Sequence, residues 1–121
     1  MAIVSEPRTM AIIACAGTPR QRGQAHAEQL RDQIAAVLER WRSSLADRHG
    51  IDAGDYIAEF LVNTRFLPTI ERHTPGLLDE VRGLADGASQ PFETMLAYNL
   101  MDEEWQYASE RAAEQPGCTV A

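Results

Sequence analysis

The stretch Thr9-Met10-Ala11-Ile12-Ile13-Ala14-Cys15-Ala16-Gly17-Thr18-Pro19-Arg20-Gln21 decides the fold class. Its first half is rich in Ile and Ala and stops at Gly17, the pattern of a short buried strand. Cys15 is then a small core residue. The second half changes character. Thr18 at the N-cap, Pro19 at the first helical position and Gln21 three residues on form a capping box that opens a helix. One strand ahead of helices predicts an α+β fold. A lone strand leaves its backbone groups unpaired, so this one needs a partner strand from elsewhere. Ile12-Ile13-Ala14-Cys15 also has the look of a bacterial lipoprotein signal. The apolar run from Met10 to Ala16 is short for a signal core, however, and Glu6 and Pro7 precede it with Arg8 as the one basic residue.

Outward from this stretch the chain reads as helices. Leu30, Ile34, Val37, Leu38, Trp41 and Leu45 recur at helical spacing and form one stripe. Gly50 is placed to close that long helix. Asp52 caps a second helix carrying Ile57, Phe60, Leu61 and Val62, which Pro68 should break or kink. Thr74-Pro75 opens a third, with Leu77, Leu78, Val81, Leu84 and Ala85 on one face and Gly87 at its close. Ser89-Gln90-Pro91 opens a fourth, with Phe92, Met95, Leu96 and Leu100. Residues 102–116 are polar and acidic and read as a helix end followed by an exposed loop, with Trp105 and Tyr107 as its only large side chains.

The 121 residues suit one modest domain, and the apolar share of 45% is ordinary for a globular protein. The net charge is −7. Phosphate neutralisation needs a basic face, so nucleic acid is not an expected partner. All 11 basic residues are Arg. A lysine Schiff base, a phosphate-loop lysine and a Ser–Lys dyad are therefore excluded within this sequence. Two Cys, Cys15 and Cys118, sit near opposite ends and read as separate thiols, which fits a reducing, cytoplasmic compartment. No apolar run reaches the length of a membrane span, so no membrane partner is expected. His26, His49 and His73 lie without a Cys, Asp or Glu cluster at ligand spacing, so neither a metal nor another cofactor is expected.

The chemistry concentrates at Gly117-Cys118-Thr119. A Cys after Gly in a loop can attack the Gly117 carbonyl with its Sγ through a five-membered ring. Glycine leaves that carbonyl approachable and tolerates strained angles. The backbone nitrogen leaves, and water hydrolyses the thioester. Cys118 then carries a free α-amino group with a pKa of about 7.7–8.0 beside a thiol of about 8.5, so base and nucleophile sit in one residue. A thiolate there forms an acyl-enzyme with an amide or thioester substrate.

Three stretches in order carry a resemblance. Gly17 through Ala27, Pro75 through Asn99 (with Glu80, Gly83, Ala85, Gly87 and Ala88) and Gly117-Cys118-Thr119 resemble the acyl-coenzyme A:6-aminopenicillanic-acid acyltransferase family. Gln21 stands where that family commonly has an acidic residue, and Ala27 and Ser89 stand where it commonly has Gly. The resemblance implies an αββα N-terminal-nucleophile hydrolase fold, with residues 1–117 as a mostly helical α-chain. Residues 118–121 would be the start of a β-chain whose remainder is absent here. It also implies Cys118 as nucleophile, cleavage between Gly117 and Cys118, the β-chain of the same precursor as partner, and a small-molecule amide or acyl donor as substrate. Asn99 and Glu103 continue the fourth helix's stripe and are expected to face inward, lining a pocket near Cys118 with Thr119 or tying down the acidic loop. The competing expectation is a truncated, non-catalytic helical module that docks on a partner chain.

Overall fold

A computed structural model of the chain describes residues 16–114. Seven helices make up all the regular structure among those residues: α1 (Pro19–Gln29), α2 (Arg31–His49), α3 (Ala53–Thr64), α4 (Phe66–His73), α5 (Pro75–Ala88), α6 (Phe92–Asn99) and α7 (Met101–Glu114). This corrects the α+β expectation. The apolar stripes find their partners in one another, so no sheet is needed to close the core. The strand expected over Thr9 to Ala16 lies outside the described residues except for Ala16, which is irregular.

Two of the four start signals, Thr18 and Asp52, act as their chemistry dictates; Thr74 precedes α5 without a side-chain cap and donates its hydroxyl to Ile70 O, and Ser89 is the left-handed end of α5 and does not cap α6. Thr18 Oγ1 accepts from the Gln21 backbone N–H at 3.1 Å, and the Gln21 side chain accepts from the Thr18 N–H at 3.0 Å. Asp52 accepts from the Asp55 N–H at 3.1 Å. Gly50 ends α2 at φ 70, a left-handed conformation that glycine adopts without a Cβ penalty.

The break expected from Pro68 is present, and others differ from expectation. The single long first helix is two helices, parted at Leu30, whose N–H turns back to Ala27 O at 3.2 Å. α3 ends at Arg65 in a left-handed conformation (φ 58), ahead of Pro68. Pro68 instead occupies the first turn of α4, where its missing N–H has no helical partner to lose. The loop expected after Asp102 is helix through Glu114. Asp102, Glu103 and Glu104 in its first turn suit the positive end of the helix dipole.

The core gathers Leu38, Trp41 and Leu45 of α2, Tyr56, Ile57, Phe60 and Leu61 of α3, Leu78, Val81 and Ala85 of α5, and Met95, Leu96 and Ala97 of α6. Burying each large apolar side chain contributes roughly 1.5–3 kcal/mol. Val62 and Leu77, expected on the inner stripes, are exposed.

α1 and α5 lie along each other with their backbones nearly touching. A Cβ on Gly23 would sit 2.1 Å from Glu80 O, one on Gly83 2.1 Å from Arg20 O, and one on Gly87 2.4 Å from Gln24 O. Small residues at 23, 27, 83 and 87 are what permits that approach. Arg20–Asp86 and Arg22–Glu80 ion pairs flank it.

Candidate functional site

Gly117, Cys118 and Thr119 lie outside the described residues, as does Cys15. Asn99 and Glu103 are described, and both are exposed, which corrects the inward placement. The helix breaks at Leu100, whose N–H is shared between Leu96 O and Ala97 O. That break shifts the register of α7, so Glu104 turns inward and Glu103 outward. Asn99 donates its amide N–H to Met95 O at 2.8 Å, within its own helix. It borders a shallow, mostly apolar groove with His26, Leu30, Ile34, Leu84 and Tyr98.

Glu104 is the centre of the strongest polar constellation among the described residues, and only 1% of it is exposed. Its Oε2 accepts from the fully buried Tyr56 hydroxyl at 2.6 Å. The His49 ring stacks on Tyr56 with centroids 4.0 Å apart and an interplanar angle of 9°. His49 Nε2 stands 3.9 Å from Glu104 Oε2, beyond hydrogen-bond range. Neither His49 Nε2 nor Glu104 Oε1 has a hydrogen-bond partner among the described residues. A second group adjoins the first. Glu59 accepts from Arg111 Nε at 2.7 Å and from the Tyr107 hydroxyl. Asn63 donates to that hydroxyl at 3.0 Å, and the Arg111 guanidinium lies 5.6 Å from the Tyr56 ring centre.

The electrostatics follow from this geometry. Burial pushes the Tyr56 phenol well above its usual range, and the hydrogen bond to Glu104 pushes it further. Burial also pushes His49 below its usual value, with Arg48 adding to the effect. Glu104 pulls His49 the other way, but desolvation of the charged ring outweighs it, so imidazole and carboxylate do not form an ion pair near neutral pH. Hydrogen bonds from Arg111 and Tyr107 hold the Glu59 carboxyl below its usual range. Burial and the bond to Glu59 raise Tyr107.

No family model, curated protein or solved structure matches this chain. The His49–Tyr56–Glu104 cluster holds acid–base groups, but Tyr56 and Glu104 are buried and only a tenth of the His49 side chain is exposed, which leaves no seat for a substrate. It clamps the end of α2, the first turn of α3 and the start of α7 together. No group of three His, Cys, Asp or Glu that could hold a metal ion forms among the described residues, and no described helix is long and apolar enough to cross a membrane. The signal for Glu104 was present as the spacing Leu96, Leu100, Glu104, which competes with the Met95, Asn99, Glu103 spacing. Nothing in the sequence tied Tyr56 or His49 to it.

Proposed function

We propose that this chain is the front part of an autoproteolytic N-terminal-nucleophile amidohydrolase or acyltransferase that cuts itself between Gly117 and Cys118. The carrying observation is the order of three stretches, Gly17–Ala27, Pro75–Asn99 and Gly117-Cys118-Thr119, and their resemblance to one family of self-cleaving Cys enzymes. Two features support the reading. The first two stretches form α1, α5 and α6, and α1 and α5 meet through Gly23, Gly83 and Gly87. α7, the last described helix, is clamped to α3 by Glu59 and Arg111, which fixes the described part of the chain nearest to Gly117 in sequence.

In this mechanism Cys118 Sγ attacks the Gly117 carbonyl carbon as its proton is removed. The C–N bond breaks and the proton goes to the departing Cys118 nitrogen. Water hydrolyses the resulting thioester, giving a Gly117 carboxylate and restoring the thiol. Cys118 then uses its own α-amino group as base to form an acyl-enzyme with a linear amide, and water or an amine takes the acyl group. The partners are the β-chain of the same precursor and a small-molecule amide or acyl donor. Nucleic acid, membrane, metal and cofactor have no part in it, and the setting is cytoplasmic. A second reading, a non-catalytic helical module that docks on a partner chain, draws on the open side of α7, where Trp105 is 64% exposed.

Intact mass of the protein from its complete reading frame, beside Cys118→Ala, tests the first reading. The expected result is a fragment ending at Gly117 and another starting at Cys118 in the wild type, with the variant whole. Two whole proteins under native conditions would overturn it.

A further inference from the structure

Among the described residues α7 is held by side-chain hydrogen bonds on one side only. Glu104, Tyr107 and Arg111 engage α3. The adjoining side presents Met101, Trp105, Ala108 and Ala112, spaced four, three and four residues apart and so aligned in one stripe. Trp41, Ser44 and Arg48 of α2 stand across from it, and the groove between encloses about 860 Å3.

We propose that this groove seats a second copy of the same chain, docked through its own α7 in antiparallel orientation. The reason is the size gradient along the stripe. The first two members are large and the last two are alanines. An antiparallel pair with its two-fold axis between positions 105 and 108 sets Trp105 of one copy on Ala108 of the other, and Met101 on Ala112. A parallel pair sets Trp105 on Trp105 and leaves the alanines facing a gap. The rim charges are self-complementary as well. Arg48 and Asp102 border the groove, and neither is in an ion pair among the described residues. A two-fold contact presents the same patch from both sides, so an Arg48–Asp102 pair across the seam would be made twice. Antiparallel helices also oppose their dipoles favourably. An exposed Trp closing on small residues is the composition of a binding hot spot.

The inference does not depend on whether Cys118 is a nucleophile, so the test uses full-length Cys118→Ala, which removes self-cleavage as a variable. Sedimentation equilibrium over the micromolar range should give a monomer–dimer transition. Trp emission should move to shorter wavelength along the same concentration axis as Trp105 is covered, since Trp41 is buried in both states. Trp105→Ala should weaken the dimer at least about 30-fold, the loss expected of a hot spot. Arg48→Asp should weaken it too, and adding Asp102→Arg should restore it, which a folding defect would not do. A monomer at every concentration overturns the proposal. So does a dimer that Trp105→Ala leaves intact, or one that the double charge reversal fails to rescue. A monomer whose Trp105 emission is already short and independent of concentration overturns it in favour of a groove covered by the chain itself.

Discussion

At the residue scale, one buried carboxylate and a few glycines in close contact set the tightest constraints on the packing. Among the described residues Glu104 has one donor, Tyr56, at 2.6 Å. Tyr56→Phe removes it and leaves the buried oxygen unsatisfied, which should cost about 1–3 kcal/mol in urea unfolding. Glu104→Gln keeps a carbonyl acceptor for the phenol and should cost less. Equal losses would mean that the charge, and not the bond, holds the clamp. The glycines give a sharper contrast. A Cβ at Gly83 meets the Arg20 backbone carbonyl at 2.1 Å, whereas one at Gly76 meets nothing closer than the Pro19 side chain at 3.9 Å. Gly83→Ala must push α1 and α5 apart and should destabilise by roughly 1–3 kcal/mol. Gly76→Ala should be neutral or stabilising by up to about 1 kcal/mol, since it restricts only the unfolded chain. Thermal unfolding of the two variants side by side decides this, and similar shifts would refute the close approach. The sequence displays these glycines but not their contact, because Gly23 and Gly83 meet only through tertiary packing.

At the element scale, what was legible is what is local. The capping box at Thr18, the Asp52 cap and the Gly50 terminus depend on neighbours within a few residues, and each appears where the side-chain chemistry put it. Pro68 marks the break at Arg65, whereas the breaks at Leu30 and Leu100 carry no glycine or proline, so no local signal marks them. The last break decided the candidate site. By turning Glu104 in and Glu103 out, it moved the buried acid by one residue. It also let α7 continue to Glu114, tied near its end by Arg111 to Glu59. Arg111→Ala should therefore loosen the last two turns of α7 alone. Hydrogen exchange read by mass spectrometry should speed up over residues 108–114 and stay unchanged in α5. Unchanged exchange in α7 would mean that Tyr107 holds the helix without the ion pair.

At the scale of the whole molecule, the apolar stripes of α2, α3, α5 and α6 were legible as stripes, but their mutual pairing was not. The strand is expected from the Ile- and Ala-rich run Thr9 to Ala16, which lies outside the described residues save Ala16, and among the described residues helices alone close the core. The same packing makes stability depend on pH in a way that follows from direction alone. His49 is held below its ordinary 6.5 in the folded chain, first by burial and then by Arg48. The unfolded chain thus binds a proton that the folded chain resists, so this contribution is present above about pH 6.5 and is lost as the pH falls through the folded value. Glu59 is held below 4.5 by its hydrogen bonds from Arg111 and Tyr107, so a second loss begins beneath that point. Tyr56 and Tyr107 are raised above 10.0, so the folded chain keeps protons the unfolded chain releases, and stability falls again as the pH rises beyond that value. Urea midpoints between about pH 3 and pH 11 should trace a plateau with a shoulder on its acid side. His49→Phe keeps a ring against Tyr56 but cannot take up a proton. It should flatten the decline just below about pH 6.5 while leaving the steeper loss below about pH 4.5 in place. If the wild type is flat across the first window, or the variant declines in parallel with it, His49 is not the group that makes this fold sensitive to mild acid.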